Sequence, residues 1–360
     1  MKRMIVILLS SVLSLLFGSM FIQSDLCAKE KPITLVYSSM TLQENVQVRV
    51  DDWIMDEIER RTNGSVKFKR HYAGALTKGM ETLPALRSGA VDVCDPPPGY
   101  FSDELPLLGL TNVVRVSRDA PTLMNAISHL LFDEGKIAEI LQNEIRKQNF
   151  IYLFPHSMDY TMLTRKPVYK LSDLKGMRMR SVGQYEPRQK ARWGVISVNV
   201  LPAELYEAIS RGTVDGMSYC RNQIPFYKLH EVAKWVSFDD GVISGVPMSM
   251  NLDTWNKLPS DVQNLILGMR KEAVEYDLGA WLKQKYDTMA TLRDQGCNLV
   301  QVEPKEQEEV FNSWIEVALD VWLPFVEKKG LKTEGRLVLD RWLELNTEKG
   351  LNFWEREYSK

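Results

Sequence analysis

One pattern recurs in the chain at a fixed interval. Glu81 to Asp92 reads E-T-L-P-A-L-R-S-G-A-V-D, and Glu204 to Asp215 reads E-L-Y-E-A-I-S-R-G-T-V-D. Both fit E-x-x-x-A-[LI]-x-x-G-x-V-D, and both ends are offset by 123 residues. The pattern predicts a short helix stopped at Gly89 or Gly212, where glycine tolerates the left-handed conformation, then a strand starting at Val91 or Val214. One such unit in each half implies two α/β lobes. The cleft between two lobes is a favoured ligand site.

Flanking patterns agree with a parallel α/β sheet. Ile33 to Tyr37 is a β-branched and aromatic strand. Val46, Val50, Ile54 and Ile58 then recur at helical spacing across 43–62, with Trp53 widening the stripe. Asn63-Gly64 stops that helix, and Val66 to Tyr72 alternates as a second strand. In the second half, Ile151 to Phe154 and Asp159 to Leu163 read as strands. Met177 to Val182 alternates, with Arg178 and Arg180 on one side and the methionines on the other. Ser260 with Gln263 forms a capping-box signature. It opens one long helical pattern towards Gly296, long enough to bridge both lobes. Cys297 to Val302 reads as a further strand, and the chain beyond Glu306 as helices.

Met1-Lys2-Arg3 precedes an uncharged apolar run, Met4 to Ile22, and then polar residues. This is the layout of a secretory signal peptide, which puts the mature protein outside the cytoplasmic membrane. A retained anchor is the alternative, because the run is close to the minimum spanning length. With 45 basic and 47 acidic residues the formal net charge is −2, so no basic field points to nucleic acid. Cysteines stand at 27, 94, 220 and 297. If Cys27 leaves with the signal, an odd, widely spaced set remains, which argues against a disulfide framework or a zinc site.

The chain resembles the solute-binding proteins of tripartite ATP-independent periplasmic (TRAP) transporters, of the dicarboxylate-binding type. The matching stretches are Thr62-Asn63-Gly64, Glu81 to Asp92, Asp173-Leu174-Lys175-Gly176 running on to Arg180, Glu204-Leu205-Tyr206, Gly212 to Gly216 and Leu258-Pro259. The resemblance implies a two-lobed periplasmic-binding-protein fold of type II-like architecture, joined by hinge strands and a long spanning helix. It implies a partition into a signal peptide at 1–28, lobe 1 at 29–155 plus about 241–280, and lobe 2 at 156–240 plus about 281–340 with the C-terminal helices, then a helical tail at 341–360. It also implies capture of a small organic acid and delivery to a membrane permease, without a cofactor. The chain would act as a monomer, or as a dimer through the helical tail.

The family's carboxylate-clamping arginine falls on Arg180, leaving Arg178 solvated. A guanidinium suits that role: its planar fork meets a carboxylate bidentately, and its charge does not titrate. Where some sialic-acid-binding relatives carry a second arginine, this chain has Tyr160. Ser218-Tyr219 stands where relatives carry an acidic residue that helps hold a cation, so no metal is expected. Tyr37, Tyr100, Tyr160 and Tyr219 would form an aromatic-rich pocket, and Pro97, within Pro96 to Pro98, would shape a rigid wall. One clamping arginine and several tyrosines favour a monocarboxylate or keto acid with an apolar body, with Arg188, Arg192 and Arg221 as candidates for a second charge. Two other classes fit an exported binder: a sensor reporting to a membrane receptor, and an enzyme acting on an organic acid. No G-x-S-x-G, H-E-x-x-H or phosphate loop supports the enzyme.

Overall fold

The computed structural model describes residues 31–133, 135–200 and 204–346. The signal segment and the end of the helical tail lie outside them. Two sheets divide the chain. The first has the order β2-β1-β3-β10-β4: β1 (Ile33–Ser38), β2 (Val66–His71), β3 (Val93–Cys94), β4 (Phe150–Phe154) and β10 (Met248–Asn251). The second has the order β11-β9-β5-β8-β6-β7: β5 (Ser157–Thr164), β6 (Arg178–Arg180), β7 (Ile196–Val198), β8 (Gly216–Cys220), β9 (Trp235–Ser244) and β11 (Asn298–Leu299).

In the first lobe, helix α1 (Val46–Arg61) is capped by Asn45, whose side chain accepts from the Gln47 N–H. Its Val50, Ile54 and Ile58 bury fully against Leu35, Tyr37 and Val66 of the parallel pair β1–β2. Helix α2 (Thr82–Ser88) ends at Gly89, whose φ of 75° is left-handed. Gly212, after helix α3 (Leu205–Ser210), has a φ of 72°. The strands that follow begin at Val93 and Gly216, two residues later than Val91 and Val214, because each repeat's aspartate is engaged as a clasp. The Asp92 carboxylate accepts from the Val36 N–H at 2.8 Å, and the Asp92 N–H donates back to the Val36 carbonyl at 3.0 Å. Asp215 does the same to Arg178, at 2.9 and 2.6 Å. The sequence echo is thus a structural one, tying each unit to its neighbouring strand.

Besides the C-terminal helices, the lobes are joined at three places. Chain passes from β4 to β5 through Pro155-His156 and returns from β9 to β10 through Gly245 to Pro247. The Gly245 N–H donates to the His156 carbonyl at 2.8 Å, so the two crossings are bonded together. The third link is the predicted spanning helix, which forms in two segments, α4 (Ser260–Gly268) and α5 (Arg270–Asp294). The join is at Met269, with a ψ of −9°, directly after Gly268, a residue that disfavours helix interiors. Ala273 packs in the first lobe's core and Leu292 in the second's.

The C-terminal helices pack across the expected partition. Sequence order assigns them to the second lobe; Trp322 and Trp342 bury in a cluster that holds Leu123, Ile127 and Phe150 of the first lobe together with Tyr185 and Val242 of the second. Trp322 Nε1 also donates to the Pro106 carbonyl at 3.0 Å. Large apolar rings are placed by the surface they can bury rather than by chain order. Helix α6 (Pro304–Val317) lies between the lobes' elements, with Trp314 donating to Asp240 of β9 at 2.9 Å.

Candidate ligand-binding site

A cavity of about 360 Å³ lies between the lobes, within the size range of small-molecule sites. The first lobe contributes Leu42, Val46, Pro97 and Tyr100; the second contributes Tyr160, Arg180, Tyr219 and Phe226; Gln284 comes from the spanning helix. Pro97 leads into the short 3-10 turn Pro98–Phe101 that presents Tyr100. The structure brings together five of the six residues proposed from sequence: Arg180, Tyr160, Tyr219, Tyr100 and Pro97. Tyr37 is not among them. It is fully buried behind the sheet, its hydroxyl donating to Asp51 at 2.7 Å, because an inward position on a doubly covered strand leads to the core and not to the cleft.

Arg180 ends β6, only 6% exposed, with Nε donating to the Val200 carbonyl at 3.3 Å. Its guanidinium carbon is 5.3 Å from the centre of the Tyr219 ring. Among the described residues no carboxylate pairs with it, whereas Arg178 has one such partner and Arg192 and Arg221 two each. Arg178, two residues earlier on the same side of the strand, is exposed and pairs with Asp215. Of the other cations weighed from sequence, Arg221 is held by Asp159 at 2.6 Å and by Asp239, and Arg192 by Glu316 and Asp320. Arg188 donates to the Gln184 carbonyl, just ahead of its own helix, at 2.7 Å.

Burial, with Cys220 and Tyr227 adding to it, pushes the Tyr219 phenol well up, and burial does the same to Tyr160. Both rings therefore present neutral hydroxyls and apolar faces. Cys220 also lines the cleft, its thiol 3.0 Å from the Met158 sulfur and pushed up to about 11 by burial, so it is a packing group and not a nucleophile. All three described cysteines are free and buried. Among the described residues no group of three His, Cys, Asp or Glu side chains is placed to hold a metal ion.

Sequence reasoning did not anticipate the layer beneath the cleft. Arg115, which does not line the cavity, lies 3.9 Å over the Tyr160 ring and pairs with Asp240 at 2.6 Å. Lys190 and Glu186 of the short helix Glu186–Ala191 are both buried and 2.6 Å apart. Burial alone would raise the Glu186 carboxyl, but the charges of Lys190, Arg115 and Arg180 outweigh it and hold it at about 2. The Glu186/Lys190 spacing of four was visible in sequence, where it reads as an ordinary solvated helix pair.

A model of the bacterial extracellular solute-binding proteins, family 7, matches residues 45–324. The C4-dicarboxylate-binding periplasmic protein DctP of Rhodobacter capsulatus is 23% identical over 310 residues, covering 85% of this chain and 90% of its own. A monocarboxylate 2-oxoacid-binding periplasmic protein of Nostoc is 24% identical over 301 residues, covering 80% and 77%. The crystal structure of a TRAP periplasmic solute-binding protein from Ochrobactrum anthropi superposes with a TM-score of 0.77 at 17% identity, covering 90% of this chain and 99% of that one.

Proposed function

The chain belongs to the bacterial extracellular solute-binding proteins of family 7, the DctP family, and on that premise we propose that it clamps the carboxylate of a small organic acid with Arg180. As a TRAP-type solute-binding protein it captures ligand for a membrane permease. The observation that carries the carboxylate reading is the state of Arg180: buried at the cleft, flanked by Tyr219, and without a carboxylate partner among the described residues. A buried cation of this kind is completed by an anion, and the fork geometry selects a carboxylate. Tyr160 and Tyr219 supply hydroxyls and ring faces for the remainder of the molecule, with Tyr100 and Pro97 closing from the other lobe.

Binding without turnover fits this set, because the cleft sets the guanidinium of Arg180, which has no carboxylate partner among the described residues, beside neutral phenols and a neutral thiol. The apolar N-terminal run fits export by a cleaved signal peptide, and no described helix is long and apolar enough to cross a membrane. The C-terminal helix α7 (Lys332–Asn346) buries Trp342 within its own chain, which favours a monomer over a dimer through that helix. A thermal-shift panel of organic acids, sugars and amines tests the reading. Acids should stabilise the wild type and not Arg180→Ala, and an intact acid should be recovered afterwards. Stabilisation by neutral sugars or amines alone would overturn it.

A further inference from the structure

The cleft floor rests on a buried network of five charges. Arg115, Lys190 and Arg180 are the cations; Glu186 and Asp240 are the anions, and none of the five is more than 6% exposed. Asp240 is fully committed: it accepts from Arg115 at 2.6 Å, from Gln189 at 3.1 Å and from Trp314 at 2.9 Å. Glu186 accepts from Lys190 at 2.6 Å and from the Val182 N–H at 3.0 Å, and stands 3.8 Å from Arg115. Lys190 is also bonded to the Arg180 carbonyl at 2.9 Å. Three cations against two carboxylates leave one positive charge uncompensated. The geometry places it at Arg180, the member of the set without a carboxylate partner and, with Val182, on the cavity wall. Among the described residues the other nearby charges form no ion pair with these five. Arg221 with Asp159 and the half-exposed Asp239 forms a separate group, and Glu44 is an exposed carboxylate at the rim of the first lobe.

We propose that Glu186 and Asp240 set the ligand charge that the cleft accepts: by neutralising two of three buried cations they leave room for one carboxylate and select monoanionic acids against dianionic ones. This deepens the carboxylate assignment to Arg180 and rests on it. The physical reason is that a second carboxylate brought into a desolvated cleft needs a cation of its own, and the remaining cations are already paired. Removing one internal anion should create that vacancy without touching the ligand directly.

The test uses pairs of acids that differ by one carboxylate: 2-oxopentanoate against 2-oxoglutarate, and benzoate against phthalate. Calorimetry on the wild type should show tighter binding of the monoanion in each pair that binds. Glu186→Gln and Asp240→Asn should move the ratio towards the dianion by about tenfold or more, since each adds one unit of positive charge near the cleft. Altered packing alone would weaken both acids of a pair alike, so the ratio separates a charge effect from a structural one. A wild type preferring the dianions overturns the proposal even if the variants fail to fold. An unmoved ratio in folded variants also overturns it, while loss of 2-oxopentanoate binding in Arg180→Ala would leave the carboxylate assignment standing. No binding of any of the four acids would overturn both.

Discussion

The Lys190 ammonium donates to the main-chain carbonyl of Arg180 at 2.9 Å. A buried cation thus fixes the backbone of the residue whose own cation faces the cleft, and Glu186, bonded to Lys190, reaches forward to the Val182 N–H. The chain at and just beyond Arg180 is therefore held from behind. A guanidinium preset in this way loses less freedom when it meets a ligand, which favours affinity.

Arg180→Ala should bind organic acids more weakly by ~2–5 kcal/mol, the usual effect of truncating one partner of a desolvated charge pair. Arg180→Lys should recover only part of this, because lysine keeps the charge and loses the fork. Calorimetry decides it: native affinity in the alanine variant would remove Arg180 from the site.

Tyr37→Phe should leave ligand affinity unchanged and lower stability by about 1–3 kcal/mol, because buried Asp51 loses a hydrogen-bond donor. Chemical denaturation and calorimetry on the same preparation separate the two effects. A large loss of affinity with unaltered stability would return Tyr37 to the ligand.

How much of this was legible in sequence differs between fold and site. The helix–glycine–strand echo is local, so Gly89 and Gly212 announced both units, and the clasps of Asp92 and Asp215 follow from the same residues. The placement of Trp322 and Trp342 is not local. It depends on which lobe leaves an uncovered apolar face, and no spacing encodes that. At the site, Arg180 and Arg178 occupy the same side of one strand and are alike by pattern; only the family resemblance told them apart. Tyr37 and Tyr160 both sit in strands with one more buried face than alternation reveals. The Arg115–Asp240 pair joins residues far apart in the chain, and periodicity carries no information about such a pair.

Stability should fall as the solution turns alkaline. His156 is fully buried at the first crossing, with Nε2 2.9 Å from Asp51 of α1 and Nδ1 3.0 Å from Asp277 of α5. Burial alone would lower its pKa from the ordinary 6.5, but Asp51 and Asp277 outweigh burial and raise it to about 10. A raised histidine stabilises fully below about 6.5, and that contribution is lost as pH climbs through about 10. Asp95 faces the same cluster, and burial with the Asp51 charge raises it to about 8, so its protonated form adds a loss of the same sign from its ordinary 3.8 up to about 8. Melting temperatures measured from pH 6 to pH 10.5 should decline, and His156→Gln should flatten the upper part of that decline. A wild-type profile level across this range would show that the imidazole is neutral in the folded protein.

Ligand should draw the lobes together. The two crossings, bonded to one another between Gly245 and His156, form a narrow connection, and the spanning helix is interrupted at Met269. Narrow connections of this kind absorb rotation between rigid bodies. The surfaces that would meet are apolar and partly exposed: Leu42 and Tyr100 on the first lobe at 38% and 52%, and Phe226 on the second at 50%. All three line the cavity, so closing it around an acid removes them from water along with the ligand. Ligand bridging both lobes, through Arg180 on one and Tyr100 on the other, shifts the equilibrium only by its extra affinity for the closed form. Small-angle scattering with a saturating acid should therefore show a smaller radius of gyration than the empty protein, and Arg180→Ala should show no change. Superimposable curves for the empty and saturated wild type, at concentrations where calorimetry proves full occupancy, would mean that the cleft binds without closing.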